Sequence, residues 1–261
     1  MISLKKEFDN NKTYFESNFQ TAKIPTIFIH GVGLDNSMWI PQKTFFSNQS
    51  VIFYDILNHG KSQKGFPELS FQKFSKQLDD LVNYLNVKNI NLVGFSIGAL
   101  IAQHYTEKNY KKVNKLVLIG SVYKRTEEQI KTVKNRFKNA LNEESITIDS
   151  INRWFTDPYL KDNPNVFDFF FKLLEKKKNS DFLPAYKVFI ESDSEKLDFS
   201  NFTMPTLIMT GEHEIGSTPK MSEDLHREIK NSSLCIIKDG KHGVTVEKSE
   251  KVNNQILNFL F

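Results

Sequence analysis

The chain has 261 residues, of which 39% are hydrophobic and 25% are charged, with a formal net charge of +4. This length fits one large domain or a smaller domain that carries an insertion, and the 23 Phe, 8 Tyr and 2 Trp exclude disorder of the whole chain because they supply abundant apolar surface to bury. The single cysteine, Cys235, excludes an intramolecular disulfide and any multi-cysteine metal site.

The positive charge is spread over the chain. Only four of the 35 Lys and Arg residues are arginines, and the lysines are mostly interleaved with Glu, Asp and Asn. Nucleic-acid sites favour clustered cations, arginine forks or aromatic stacking platforms, so we expect no nucleic-acid partner. No stretch approaches 18 continuous apolar residues, and residues 1–19 contain no apolar signal core. We therefore expect no membrane partner and a cytoplasmic protein.

Six apolar, β-branched runs recur at wide intervals, each bounded by turn residues. Most are near-continuous rather than alternating, which indicates strands that are covered on both faces. The predicted strands are Ile24–Ile29, Val51–Tyr54, Ile90–Val93, Leu116–Ile119, Thr206–Met209 and Ser233–Ile237. Residues 1–17 predict an additional antiparallel hairpin at one edge.

Helical patterns lie between these runs. Ser70 is a predicted N-cap for an amphipathic helix, Ile97 opens another helix, and Thr218 precedes a proline at a first helical position. A last helix contains the apolar residues from Val252 to Leu260. Strands that alternate with helices imply parallel pairing through right-handed crossovers. The predicted fold class is therefore α/β, with a doubly wound, mostly parallel sheet.

One interval breaks this alternation, because residues 122–202 contain no convincing strand. Thr126–Gln129 has the sequence of a capping box, and apolar residues follow it at helical spacing. Further helices are predicted from Val166 to Leu174 and from Phe182 to Ile190. We predict a helical insertion at 122–202 within a sheet core formed by 1–121 and 203–261.

The motif with the clearest chemical meaning is Gly94-Phe95-Ser96-Ile97-Gly98, which directly follows a predicted strand and opens a helix. Chance would produce G-x-S-x-G about 0.03 times in such a chain. Glycines on either side allow a very tight turn, which would project the Ser96 hydroxyl above the sheet as a nucleophile. The N–H of Ile97, at the start of the helix, is a candidate oxyanion donor.

A serine nucleophile needs a base, and six histidines are available. His104 lies eight positions after Ser96 on the same helix, too far to reach back, and His226 is predicted to lie on a surface helix. His242 lies in the loop after the last strand, at the sheet edge where the carboxyl ends of parallel strands meet. His242 is therefore the candidate base.

The carboxylate that orients the base should follow the preceding strand, where Glu212 and Glu214 compete. Either choice gives the chain order serine, acid, histidine that is expected for a triad on this fold. The first predicted strand ends in His30-Gly31-Val32-Gly33. Glycines there let backbone N–H groups turn toward the serine, and the N–H of Val32 is the candidate second oxyanion donor.

These segments together resemble the α/β-hydrolase superfamily, and the resemblance spans nearly the whole chain. Residues 30–33 resemble the oxyanion loop, 94–98 the nucleophile elbow, 211–219 the acid loop and 240–242 the base loop. Asp55–Ser62 resembles the D-x-x-G-H-G-x-S segment, with Asn58 in place of a glycine. The match implies that Glu214 takes the acid position, which is usually Asp, and that 122–202 is the helical cap.

Within the superfamily, residues 30–39 and 210–219 look most like small esterases and enol-lactonases of the 3-oxoadipate enol-lactonase type. The resemblance implies a serine hydrolase that cleaves a small carboxylic ester or lactone through an acyl-enzyme on Ser96. No sequence feature suggests a bound metal or organic cofactor, so we expect none. Open alternatives are a C–C bond hydrolase, an acyltransferase or a perhydrolase on the same triad, or a non-catalytic small-molecule receptor.

The predicted cap should shape specificity. It holds the candidates for an apolar acyl pocket, which are Trp154, Phe155 and Phe189. Arg125 and Arg153 are candidates for binding a substrate carboxylate, because a guanidinium presents a planar fork of donors.

Overall fold

Eight strands form one sheet in the part of the chain that the computed structural model describes, residues 4–142 and 146–261. The strands are β1 (Lys5–Phe8), β2 (Tyr14–Asn18), β3 (Thr26–Ile29), β4 (Val51–Tyr54), β5 (Ile90–Phe95), β6 (Val113–Ile119), β7 (Thr206–Gly211) and β8 (Ser232–Ile237). All six strands predicted for the core are present, although β3 begins only after Pro25.

The sheet is mostly parallel, and its strand order is β1-β2-β4-β3-β5-β6-β7-β8. Neighbouring strands from β4 to β8 in this order pair in parallel. Strands β1 and β2 form an antiparallel pair at one edge, and β2 is antiparallel to β4. The α/β class is thus confirmed. The edge hairpin also forms, although residues 1–3 of the predicted hairpin lie outside the described residues.

Helices cover both faces of the sheet. They are α1 (Ile40–Phe45), α2 (Phe71–Tyr84), α3 (Ile97–Asn109), α4 (Glu127–Leu141), α5 (Thr147–Trp154), α6 (Asp157–Asp162), α7 (Pro164–Glu175), α8 (Asn179–Ile190), α9 (Pro219–Glu228), α10 (Val244–Glu247) and α11 (Ser249–Leu260). None of the helices in the described ranges is both long and apolar enough to cross a membrane.

Local signals in the sequence set several helix starts. The Ser70 hydroxyl accepts a hydrogen bond from the N–H of Lys73 at the start of α2. Thr126 and Gln129 form both hydrogen bonds of a capping box at the start of α4. Side chains that satisfy the free N–H groups of a first turn define where a helix begins.

Each face of the sheet has its own apolar core because side chains alternate along a strand. In β3, Ile27 and Ile29 pack in the core shared with α2 and α3, whereas Phe28 points to the opposite core. That second core includes Ile256 of α11. All four residues of β3 are buried, which explains why this strand is continuously apolar in sequence.

Helices α4–α8, residues 127–190, form the part of the chain between β6 and β7; we call them the helical segment. They occupy the interval predicted to be a helical insertion, of which residues 143–145 lie outside the described residues. Helices α5 and α6 were not predicted. Ala140, Phe182, Tyr186 and Ile190 form a small apolar core of the segment's own.

The helical segment is fastened to the loop after β8. The N–H of Gly243 donates to the carbonyl of Trp154 at 2.7 Å, and Nζ of Lys241 donates to the carbonyl of Asn152 at 3.0 Å. The end of α5 is therefore held against the carboxyl edge of the sheet.

Candidate active site

The turn between β5 and α3 places Ser96 in strained backbone. Its φ of 57° and ψ of −120° lie outside the regions that non-glycine residues prefer. A Cβ on Gly98 would lie 2.2 Å from the carbonyl oxygen of Ile29, and a Cβ on Gly94 would lie 2.3 Å from the carbonyl oxygen of Gly98. Helix α3 thus approaches β3 and β5 so closely that only glycine fits at both positions.

His242 and Glu214 meet at the carboxyl edge of the sheet, in the loops after β8 and β7. Nδ1 of His242 lies 2.5 Å from Oε2 of Glu214, and both side chains are buried. The other carboxylate oxygen accepts hydrogen bonds from the N–H of Gly216 at 2.5 Å and of Ser217 at 3.1 Å. Of the two acids that the sequence leaves open, Glu214 is the one beside the imidazole.

The charge of Glu214 is favoured by its surroundings. Burial opposes the ionised form, but the attraction of His242 and Arg153 and the N–H of Gly216 outweigh it and lower the pKa of Glu214 to about 2. Glu214 is therefore a carboxylate at neutral pH. A carboxylate against Nδ1 keeps the proton on that nitrogen and leaves Nε2 of the neutral ring as an acceptor.

The competing acid, Glu212, is exposed and accepts a hydrogen bond from the N–H of Asp239 at 3.0 Å. Possible ligand atoms of Glu212, His213 and Asp239 lie within 4.8 Å of one another, but all three side chains are exposed. Exposed acidic groups cluster commonly without an ion, so this cluster does not indicate a metal site.

Ser96, Glu214 and His242 line the same cavity, which has a volume of about 60 Å³. The ring of His242 lies between aromatic side chains, with its centroid 4.8 Å from that of Phe95 and 6.3 Å from that of Trp154. Ser96 is 6% exposed and His242 is 9% exposed, so both reach the cavity while remaining shielded from bulk water.

The glycine-rich loop after β3 borders the cavity through Gly31 and Val32. In the described part of the chain, the N–H groups of Val32 and Ile97 have no hydrogen-bond acceptor. The N–H of the next residue, Gly33, donates to Nε2 of His59 at 2.9 Å. Two backbone donors at this edge are thus free, and the loop that carries one of them is fixed.

His59 holds this loop as a neutral acceptor. Burial, together with the positive charge on His30 when it is protonated, lowers the pKa of His59 to about 3. Nδ1 of His59 donates to the carbonyl of Leu57 at 2.9 Å, which leaves Nε2 to accept from Gly33. Asn58, which stands where the family segment has glycine, has a φ of 64°, in the left-handed region that asparagine tolerates.

Of the predicted pocket residues, Trp154, Phe189 and Arg153 line the cavity. Phe155 does not: its ring is buried against Tyr159 and Phe170. Consecutive residues at the end of α5 point to different sides, so Trp154 and Phe155 cannot both face the same cavity.

Arg125 also lies away from the cavity, and the prediction that it binds substrate is corrected. Its Nε forms a salt bridge with Asp193 at 2.7 Å. Its Nη2 donates to the carbonyl of Phe189 at 2.8 Å and to the hydroxyl of Ser192 at 2.8 Å. These partners hold the guanidinium within the protein, although its Nη1 is buried without a partner, and they indicate a structural role for Arg125.

Two cations that the sequence interpretation missed, Arg136 and Lys177, do line the cavity. Arg136 is on α4, where a three- to four-residue period would have placed it near the apolar face of Val133 and Phe137. Lys177 follows α7 in a lysine-rich run that looks like a solvated surface. The only usable signal was the position of Arg136 beside an apolar helix face.

Comparison with known proteins gives one family and several full-length relatives. Residues 25–249 match the family model described as the alpha/beta hydrolase fold. A protein of Acinetobacter baylyi named (E)-2-((N-methylformamido)methylene)succinate hydrolase is 30% identical over 259 residues, which cover 97% of this chain and 96% of that protein.

Solved structures agree over nearly the full length. A bromoperoxidase from Bacillus anthracis superposes with a TM-score of 0.86 at 23% identity, and covers 98% of this chain and 99% of its own. An enol-lactonase from Burkholderia xenovorans has a TM-score of 0.85 at 18% identity, with the same coverage. At these identities the similarity is one of fold.

Proposed function

Because the chain belongs to the family of the alpha/beta hydrolase fold, we propose that it is a serine hydrolase that cleaves a small carboxylic ester or lactone through an acyl-enzyme on Ser96. One observation carries the proposal. The buried contact of Nδ1 of His242 with the Glu214 carboxylate, at 2.5 Å, borders the same cavity as the strained Ser96. A serine, an imidazole and a carboxylate in that chain order are the parts of an acyl-transfer site.

The first step is acylation. Nε2 of His242 accepts the Ser96 proton while Oγ attacks the substrate carbonyl, and Glu214 stabilises the imidazolium that forms. The N–H groups of Val32 and Ile97 donate to the oxyanion. His242 then gives its proton to the leaving alkoxide, so the acyl group is left on Ser96.

Deacylation repeats the same proton transfers with water as the nucleophile. His242 takes a proton from water as the hydroxide attacks the acyl carbonyl, and returns the proton to Oγ of Ser96 when the ester bond breaks. Losing one oxyanion donor in such a site costs roughly 3–4 kcal/mol of the barrier. The hydrogen bond from Gly33 to His59, which fixes the loop of Val32, therefore supports the rate as well as the fold.

The helical segment acts as the cap of this site, within an insertion that spans 122–202. Trp154 and Phe189 supply apolar lining over the carboxyl edge of the sheet. Burying the reacting groups strengthens every electrostatic interaction in the cavity.

A second candidate reaction is hydrolysis of an amide-type C–N bond. The relative from Acinetobacter baylyi is named for an N-methylformamido-substituted succinate. The same serine, imidazole and oxyanion donors serve an amide, with His242 protonating a nitrogen leaving group instead of an oxygen.

The proposal is tested on Ser96 itself. A fluorophosphonate probe should label the wild-type protein at Ser96, and short p-nitrophenyl esters should be hydrolysed. Ser96→Ala should abolish labelling and lower kcat by about a million-fold. Ser75→Ala, at a hydroxyl of α2 outside the cavity, is the matched control and should retain both activities. If folded wild-type protein shows neither labelling nor turnover, the hydrolase proposal is wrong.

A further inference from the structure

The described side chains that line the cavity include more cations than anions. Among the described residues, its lining includes the side chains of Arg136, Arg153 and Lys177, and one carboxylate, that of Glu214. That carboxylate is already paired with His242. When His242 is neutral, these four described side chains together carry an excess of two positive charges.

Arg153 has no hydrogen bond or salt bridge to any residue in the described ranges, and its Nε is buried without a partner. Its Nη1 lies 2.9 Å from the position that a Cβ on Gly216 would take, directly beside the Glu214 loop. Burial lowers the pKa of Arg153, although the charge of Glu214 raises it. The guanidinium thus has no hydrogen-bonded anion, and the carboxylate that attracts it, Glu214, already contacts His242.

Arg136 is also incompletely satisfied. Its Nη2 donates to the hydroxyl of Ser150 at 3.0 Å, but its Nε is buried without a partner. The charge of Arg136 acts against that of Arg153 and further lowers the pKa of that guanidinium. Two arginines that repel each other across a cavity form a site that an anion would stabilise.

Lys177 contributes a third positive charge from the end of α7. Its Nζ donates to the carbonyl of Leu174 at 2.9 Å and lies 5.0 Å from the centroid of the Phe182 ring. Burial lowers the pKa of Lys177, although the charge of Glu175 raises it. Neither contact supplies a negative charge, and Glu175 does not line the cavity, so this ammonium has no counter-charge of its own among the described lining residues.

We propose that Arg136, Arg153 and Lys177 bind a substrate dianion, and that the substrate is an ester, lactone or amide with two free carboxylates. This inference rests on the proposed function, because the dianion is held in the cavity that contains Ser96. Two carboxylates match the excess of two charges. The planar forks of the arginines suit bidentate pairing with carboxylates, and the lysine adds a point charge.

A neighbouring cavity of about 210 Å³ extends the positive surface outward. It shares Leu34, Lys177 and Phe182 with the inner cavity. Its other lining residues include four lysines and two aspartates, namely Lys61, Lys64, Lys176, Lys178, Asp35 and Asp181. A cleft with excess positive charge concentrates anions and raises their association rate. The outer cavity is thus a suitable access route for a dianion, and Phe182 lines both cavities.

The substrate class is tested with phenyl esters that share one leaving group. Phenyl propanoate has no free carboxylate, the phenyl monoester of succinate has one, and a phenyl monoester of propane-1,2,3-tricarboxylate has two. We expect kcat/KM to rise by roughly 10- to 100-fold with each added carboxylate, mainly through KM. For the dianion, kcat/KM should also fall as salt is added. A flat series would overturn the inference.

Variants assign the effect to residues. Arg153→Met and Arg136→Met should each lower the ratio of kcat/KM for the two-carboxylate ester to that for the neutral ester by roughly 10- to 100-fold. Arg227→Met removes an exposed arginine of α9 and is the matched control, for which the ratio should stay unchanged. If Arg153→Met and Arg136→Met both give the same ratio as wild type, these arginines do not bind the substrate.

A binding measurement separates this inference from the proposed function. Calorimetric titration of Ser96→Ala with succinate should give a Kd at least about tenfold below that for propionate. Inorganic phosphate is titrated in parallel, and tighter binding of phosphate than of succinate would contradict two carboxylates as the source of the charge. If Ser96 is not labelled but succinate still binds, only the hydrolase proposal is rejected. Labelling of Ser96 without succinate binding or a carboxylate effect would reject the anion site alone.

Discussion

The sheet edge and the helical segment line one cavity, but they hold their polar groups in opposite ways. At the sheet edge, Glu214 accepts two backbone hydrogen bonds and pairs with His242. In the helical segment, Arg153 has no hydrogen-bond partner within the described residues. Groups proposed to react are thus fixed before substrate arrives, whereas a group proposed to recognise substrate has no hydrogen-bonded anion. Preorganisation and recognition are divided between two parts of the chain.

Of the tests of this comparison, the largest effect should come from a substitution at the sheet edge, where hydrogen bonds fix the groups proposed to react. Glu214→Gln keeps the size of the side chain but places an amide against Nδ1 of His242, which favours the wrong tautomer of the imidazole. We expect kcat to fall by about 10⁴-fold with little change in KM. Glu212→Gln alters an exposed acid of the same loop and should leave kcat near the wild-type value. Steady-state kinetics on one p-nitrophenyl ester compares both variants, and near-normal turnover by Glu214→Gln would reject the assigned acid.

The dependence of folding stability on pH tests whether Glu214 is held ionised at the sheet edge. Folding lowers the pKa of Glu214 from 4.5 to about 2, so the folded state binds fewer protons than the unfolded state between these values. The resulting stabilisation is fully present above pH 4.5, amounts to roughly 3 kcal/mol, and is lost as the pH falls through about 2.

Urea denaturation at a series of pH values measures this contribution. The difference in the free energy of unfolding between wild type and Glu214→Gln should shrink as the pH falls from about 5 toward 2. Glu212→Gln provides the comparison for losing an exposed carboxylate. A difference that stays constant over this range would show that Glu214 is not held ionised by its contacts.

The sheet edge of the cavity could be predicted from the sequence because the constraints on its residues are local. Gly94 and Gly98 are required within two residues of Ser96, and Glu214 and His242 follow adjacent parallel strands whose ends must meet. Thus the turn and the meeting of the acid and base loops follow from short-range patterns combined with parallel strand pairing. The choice of Glu214 over Glu212 came from the resemblance to the family's acid loop and not from such a pattern, because it depends on how one loop folds back on its own N–H groups.

The helical segment was less predictable because its side chains are directed by distant contacts. Arg125 and Arg153 look alike in sequence, but Asp193, 68 positions from Arg125, pairs with the first and not the second. Arg136 faces the cavity only because α4 packs against α8. Helix periodicity predicts which residues share a face, but not which neighbour or cavity that face meets.

The smallest expected effect concerns Arg153, in the helical segment. Arg153→Met removes a buried charge that lacks a hydrogen-bond partner in the described chain, and the attraction of Glu214 offsets part of the cost of burying that charge. We expect the free energy of unfolding to rise by roughly 0.5–1 kcal/mol even as dianion hydrolysis declines. Arg125→Met is the matched comparison, because it removes a guanidinium bonded to Asp193 and to carbonyls of α8, and should lower the free energy of unfolding by about 2–3 kcal/mol. Urea denaturation resolves the two signs, and an equal loss of stability in both variants would mean that Arg153 is as much a structural residue as Arg125.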